Sequence, residues 1–129
     1  VWRKSPYLAD PKGGRPVKEV KAYFKPHKLS SVARELQNVE GLSGMSVVDV
    51  RGFGRGKAKG APQRIVDDLV DYVHYVKIEL FCRDDLVEQI VSAIEKGAHT
   101  GLRGDGKIYV SNVEAAVRIS TGDRGEGAV

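Results

Sequence analysis

The chain has 129 residues, 41% of them hydrophobic and 29% charged, with a net charge of +4. These values describe one globular domain with a sizeable core, and the modest excess of mixed charge does not by itself imply a nucleic-acid partner. A single cysteine, Cys82, excludes an internal disulfide and a cysteine-based zinc cluster, and fits a reducing, cytoplasmic setting.

Residues Val1 to Pro16 read as a flexible tail, because Pro6, Pro11, Gly13, Gly14 and Pro16 interrupt every period. The tail lacks the apolar core of a signal peptide, and no apolar run in the chain approaches the ~20 residues of a membrane span. The chain begins with valine, so an excerpt and a chain carrying a leader are both open readings.

The domain is expected over Val17 to Val129. Val20, Ala22 and Phe24 alternate with charged or polar neighbours, as in a half-buried strand that Pro26 ends. Leu29, Val32, Ala33, Leu36 and Val39 fall on one helical face, with Gly41 and Gly44 as the stop. Met45 to Val50 predicts a second strand, and Val76, Ile78 and Leu80 alternate as a third. Asp85 and Glu88 have capping-box spacing before a helix whose stripe is Val87, Ile90, Val91, Ile94 and Ala98. Lys107 to Val113 predicts a fourth strand, and Val117 to Ile119 a short extra one.

The resulting β-α-β-β-α-β order is the ferredoxin-like α+β pattern, with both helices on one face of an antiparallel sheet. Some twenty residues, Gly52 to Asp71, stand where a tight hairpin would suffice between strands two and three. A connection that long in a compact domain is usually functional or disordered. Its second half, with Ile65, Val66, Leu69, Val70 and Val73, has helical spacing, which leaves helix and strand both open.

Two glycine-rich basic segments carry the chemistry. Arg51-Gly-Phe-Gly-Arg-Gly-Lys-Ala-Lys-Gly60 holds four cations and no acid, and Gly104-Asp-Gly-Lys107 stands directly before the fourth strand. Glycine lets main-chain N–H groups point at phosphate oxygens, and lysine and arginine supply the opposing charge. Arg118, one strand later, is placed to join the same phosphate cluster. The bland reading is a solvated loop and an ordinary Asp-Gly turn. Neither segment is a Walker P-loop. Arg51-Gly-Phe-Gly54 and Lys107-Ile-Tyr-Val110 also look like the two RNA-recognition signatures, but they occur in reversed order, and Gly54 is followed by Arg-Gly-Lys57 rather than by the aromatic-bearing strand on which bases stack. An acylphosphatase-like enzyme is the catalytic alternative, opposed by the lack of an asparagine placed to orient water. No catalytic residues are assigned, and His27, His74 and His99 have no metal-ligand spacing.

From Val17 onward the chain resembles the PII signal-transduction proteins. The match rests on Phe24-Lys-Pro26, Gly44-Met45, Val50-Arg-Gly-Phe-Gly-Arg55, Val76-Lys-Ile-Glu79, Thr100-Gly101, Gly104-Asp-Gly-Lys-Ile108, Ala116-Val-Arg-Ile119 and Thr121-Gly122. The resemblance implies a homotrimer without catalysis of its own, regulating nitrogen utilisation, with ADP, ATP or AMP as effector in clefts between subunits. Ser46, Gly54 and Arg55 would hold the nucleotide from one side, with Phe81 near the base. Gly104, Asp105, Gly106 and Lys107 would cradle its phosphates, and Arg118 would neutralise them from the neighbouring subunit, flanked by Ile119 and Ser120. The long connection would be the T-loop that docks a target protein, with Lys57, Lys59, Arg64, Asp67 and Asp68 as its charged contacts. A transporter, an efflux pump and an enzyme are all open as that target.

Several positions depart from the family pattern. Asp68 stands where the modified tyrosine is expected, Gly56 replaces the glutamine that helps hold Mg²⁺ and 2-oxoglutarate, and Tyr75 replaces the lysine that pairs with the 2-oxoglutarate carboxylate. Uridylylation, Mg²⁺ and 2-oxoglutarate binding therefore lose their usual means. Ser120 replaces a second phosphate-binding arginine, which would let ADP or AMP compete better with ATP.

Overall fold

A computed structural model describes residues 14–52 and 73–129. Among these, four strands form one antiparallel sheet in the order β2-β3-β1-β4. They are β1 (Val17–Phe24), β2 (Ser46–Gly52), β3 (Val73–Arg83) and β4 (Gly106–Val113), with α1 (Leu29–Leu36) after β1 and α2 (Val87–Ala98) after β3. This is the ferredoxin-like order expected from the alternation pattern.

Cross-strand register sorts the side chains into two faces. Val20 faces Leu80, Ala22 faces Ile78 and Phe24 faces Val76. All six are buried against Val32 and Leu36 of α1 and Ile90, Ala93 and Ile94 of α2. Full burial of a side chain such as Phe24 or Ile78 contributes about 2–3 kcal/mol, so this single layer dominates the stability. The helices meet closely at Gly97, where a Cβ would lie 2.7 Å from the Val32 Cα. Glycine there lets the two backbones approach to a distance no larger residue permits.

The opposite face carries residues one step out of phase. Glu19 pairs with Lys21 at 3.4 Å and Lys77 with Glu79 at 3.2 Å, among exposed Val48, Phe81 and Tyr109. Tyr109 also meets Tyr23 edge-on, with ring centroids 6.2 Å apart.

Three expectations change in detail. The first helix stops at Leu36 rather than reaching Val39, because Asn38 N–H bonds to Glu35 O and Val39 N–H to Leu36 O in tightened turns. Val39 is nonetheless buried, so the apolar spacing marked the core correctly while misplacing the helix end. The Asp85 capping box does not form: the turn Asp84–Leu86 precedes α2, and no side chain caps it. The Asp85 carboxylate instead takes Arg15 at 2.6 Å and Arg83 at 3.3 Å. With the Asp84 N–H on Pro16 O, these contacts tie residues 15 and 16 to the β3–α2 corner. Val117–Ile119 is reduced, among the described residues, to a single antiparallel bridge of Val117 with Arg124 on its own returning turn. The connection 53–72 lies outside the described residues.

Candidate functional site

The turn between α2 and β4 is built around one carboxylate. α2 ends at Ala98, and His99 leaves the helix in an extended conformation. Asp105 then folds back over the turn. Its Oδ2 accepts the Thr100 N–H at 2.9 Å and the Gly101 N–H at 3.2 Å, and its Oδ1 accepts the Thr100 hydroxyl. Thr100 Oγ1 in turn accepts the Leu102 N–H at 3.0 Å. Lys25, one residue beyond β1, places Nζ 3.3 Å from Asp105 and 3.2 Å from the Thr100 hydroxyl. His99 Nδ1 lies 3.5 Å from the same carboxylate.

This network holds the Asp105 carboxyl far below the usual carboxylate range. The Thr100 hydroxyl and amide contribute most, followed by Lys25 and the Gly101 amide, against the opposing effect of partial desolvation. A group depressed in the folded state contributes stability above its unfolded pKa and loses it as pH falls through the folded value. The turn is thus fully held at neutral and mildly acidic pH and released only in strong acid. Asp105→Asn should speed amide hydrogen exchange at Thr100 and Gly101 at neutral pH. Unchanged exchange at both would contradict the anchoring role.

Three glycines shape the same turn: Gly101, Gly104 and Gly106 have φ of +80°, +80° and +112°. Gly106 has a second constraint, because a Cβ there would stand 1.7 Å from the Tyr23 carbonyl oxygen. Lys107 follows on β4 opposite Tyr23, and Arg103 lies within the turn; both are exposed. Among the described residues no acid pairs with either one. The turn therefore presents left-handed glycine backbone and two uncompensated cations around an internally satisfied carboxylate. That is the composition of an anion cradle. Asp105 fixes the shape of that turn, with its carboxylate directed onto the turn's own donors and Lys25.

The other predicted residues are distributed rather than gathered. Ser46 opens β2 opposite Glu79, and Phe81 lies on the open face of β3 opposite Glu19, 43% exposed. Phe81 also lines a cavity of roughly 300 Å³ with Gly41, Ser43, Cys82, Arg83, Glu126 and Val129. Cys82 is buried there, and burial, with Asp85 and Asp84 nearby, pushes its thiol up. β2 and β4 are opposite edges of the sheet, and the register sets Ser46 in the row of Tyr109, so it lies three strand spacings, about 14 Å, across the sheet from β4 and three residues along it from Gly106. Arg118 has described hydrogen bonds only through its backbone, from its N–H to Asp123 O and to its carbonyl from the Gly122 N–H, both 2.8 Å. Ile119 is fully exposed, and Ser120 lies in the adjoining turn. Gly54, Arg55, Gly56, Lys57, Lys59, Arg64, Asp67 and Asp68 lie outside the described residues.

Reading the residues one by one missed Lys25 and Thr100 as partners of Asp105. The available signal was Thr100-Gly101 followed at short range by Asp105, a spacing suited to a local side-chain-to-backbone turn. No group of three His, Cys, Asp or Glu suited to a metal occurs among the described residues. Likewise, no helix among them is long and apolar enough to cross a membrane.

The model of the family "Nitrogen regulatory protein P-II" matches residues 17–123, which includes the cradle and the whole sheet. Proteins named Nitrogen regulatory protein P-II from Bradyrhizobium diazoefficiens and Haemophilus influenzae are 46% and 43% identical over 113 residues. Each alignment covers 88% of this chain and 100% of the relative. Among solved structures, Arabidopsis thaliana PII bound to citrate superposes with a TM-score of 0.72 at 36% identity. That likeness covers 89% of this chain and 94% of the plant chain. A shared fold alone would leave function open, but here the sequence relationship runs through the cradle and along the full length of the relatives, and the chain belongs to the nitrogen regulatory PII family of signalling proteins.

Proposed function

We propose that this protein is an adenine-nucleotide-responsive regulator that works as a homotrimer and signals to a target protein through the 53–72 connection. The observation that carries this reading is the Asp105-anchored turn, which holds glycine backbone and Lys107 ready for a phosphate. The separation of Ser46 and Phe81 from that turn supports a site shared between subunits. A nucleotide whose phosphates lie in one chain's cradle would meet its base-side contacts and Arg118 on another chain. Ile119, exposed in the single chain, is then covered at the same interface.

ADP or AMP competes with ATP, because Ser120 supplies no second cation for a third phosphate. The nucleotide acts by population shift: it changes target affinity only by its differential binding to the states of the connection. Regulation rather than catalysis fits the regulatory names of the relatives. RNA binding fits poorly, since Lys21 and Lys77 on the open face are already paired with Glu19 and Glu79.

Calorimetric titration with ADP and ATP, combined with light-scattering mass, tests this reading. A trimer taking up one nucleotide per subunit is expected. A particle that releases no heat with ADP, ATP or AMP would overturn it.

A further inference from the structure

We propose that Tyr75 is a phosphate-binding group, whose phenol donates a hydrogen bond to the terminal phosphoryl oxygen of the nucleotide held in the Gly104–Lys107 cradle. This rests on the proposed nucleotide function and adds a residue to its site.

The sheet register places Tyr75 at the cradle. The last paired positions of β1 are Phe24 with Val76 of β3 and Phe24 with Gly106 of β4. One step further, Tyr75, Lys25 and Asp105 form a row across three adjacent chains of the sheet, on the open face. The phenol spans this row to the turn: a Cβ on Gly104 would lie 3.8 Å from Tyr75 Oη and 4.0 Å from Lys25 Cε. Gly104, at φ +80°, has no side chain to fill the space below the hydroxyl.

The hydroxyl has no hydrogen-bond partner among the described residues, although Tyr75 is half-buried. Phenols withdrawn from water usually find a polar partner, and a phosphoryl oxygen above Gly104 would supply one. Lys25 is already engaged by Asp105 and Thr100, which leaves its ammonium at most one of three donors for a ligand. The Tyr75 phenol, Lys107 and Arg103 belong to the turn or its neighbouring strands, and none of them has an acidic partner among the described residues. Two charged groups and one neutral donor around a glycine turn suit the several oxygens of a phosphoryl group.

The neutral donor also shapes selectivity. A phenol adds a directed hydrogen bond without adding charge, so it favours a phosphoryl oxygen brought to one place over a freely diffusing anion. Its ring walls the cradle on the β3 side and limits what can be bound beyond the terminal phosphate.

Tyr75→Phe in the full-length protein tests this with two readouts, ADP affinity by calorimetry and amide exchange at Thr100 and Gly101. The expected result is about tenfold weaker ADP binding with both exchange rates unchanged, as for loss of one hydrogen bond to a charged acceptor. Wild-type ADP affinity in Tyr75→Phe would overturn the proposal, and so would an ADP loss accompanied by faster exchange, which marks a merely structural residue. Lys107→Ala separates the two levels. If it loses ADP while Tyr75→Phe keeps it, the cradle stands and the Tyr75 assignment falls. If the wild-type protein binds no ADP, both fall together.

Discussion

Replacing Gly106 by alanine is expected to destabilise the protein by about 4 kcal/mol, the sum of backbone strain and overpacking of ordinary size. The strain arises because φ at this position is +112°, a region that side-chain-bearing residues rarely adopt. The overpacking is more severe. The added Cβ would stand 1.7 Å from Tyr23 O, 2.7 Å from Tyr23 C and 3.0 Å from Phe24 Cα, all of them backbone atoms. No rotamer change relieves such a contact, so β1 and β4 must separate where Phe24 faces Gly106. That pair ends the ladder at the buried Phe24, and the cradle would move with it. Gly104→Ala is the matched control. Its φ of +80° is also positive, but the nearest atoms lie 3.8 and 4.0 Å away on the flexible side chains of Tyr75 and Lys25. It should cost only the backbone term, about 1–2 kcal/mol. Chemical denaturation at fixed protein concentration measures both, and equal losses for the two variants would contradict the steric account.

Arg118→Ala is expected to weaken ADP binding by roughly 10- to 100-fold without lowering the melting temperature. The magnitude is that of a charge-assisted hydrogen bond removed from a phosphate. The fold should tolerate the change because the guanidinium is exposed, and the turn it sits in is held by backbone bonds to Asp123 and Gly122. The wild-type affinity should also fall with added salt, as expected for partly exposed cations on a phosphate. An Arg118→Ala protein that binds ADP normally would remove Arg118 from the site.

Much of the fold was legible because its signals are local. The alternation at Val20, Ala22 and Phe24 and at Val76, Ile78 and Leu80 gave two central strands, and the Val87–Ala98 stripe gave α2. Register then follows, since slipping one residue would turn all these side chains to solvent. The end of α1 was not legible: the apolar spacing continues to Val39 while the backbone tightens after Leu36. Asp85 misled for a related reason, because a tertiary ion pair with Arg15 and Arg83 outcompetes a cap that spacing alone suggests.

The candidate site was legible in its residues and not in its roles. Gly104, Gly106 and Lys107 stand out by composition, yet the use of Asp105 depends on Lys25 and Thr100, brought close by the β1–β4 ladder and the end of α2. Tyr75 was visible only as a departure from a pattern. Its position beside Gly104 comes from the sheet register rather than from any short motif.

Subunit mixing tests the central claim most directly. Lys107→Ala removes a cradle cation and leaves Arg118, whereas Arg118→Ala does the reverse, so each variant alone should bind ADP poorly. In a ring whose sites are shared between neighbours, exchange of the two variants restores intact sites at about a quarter of the interfaces. The account predicts that ADP capacity reappears on mixing, with wild-type affinity at the restored sites. Mixed trimers that bind no more ADP than the separate variants would contradict a nucleotide site built from two subunits.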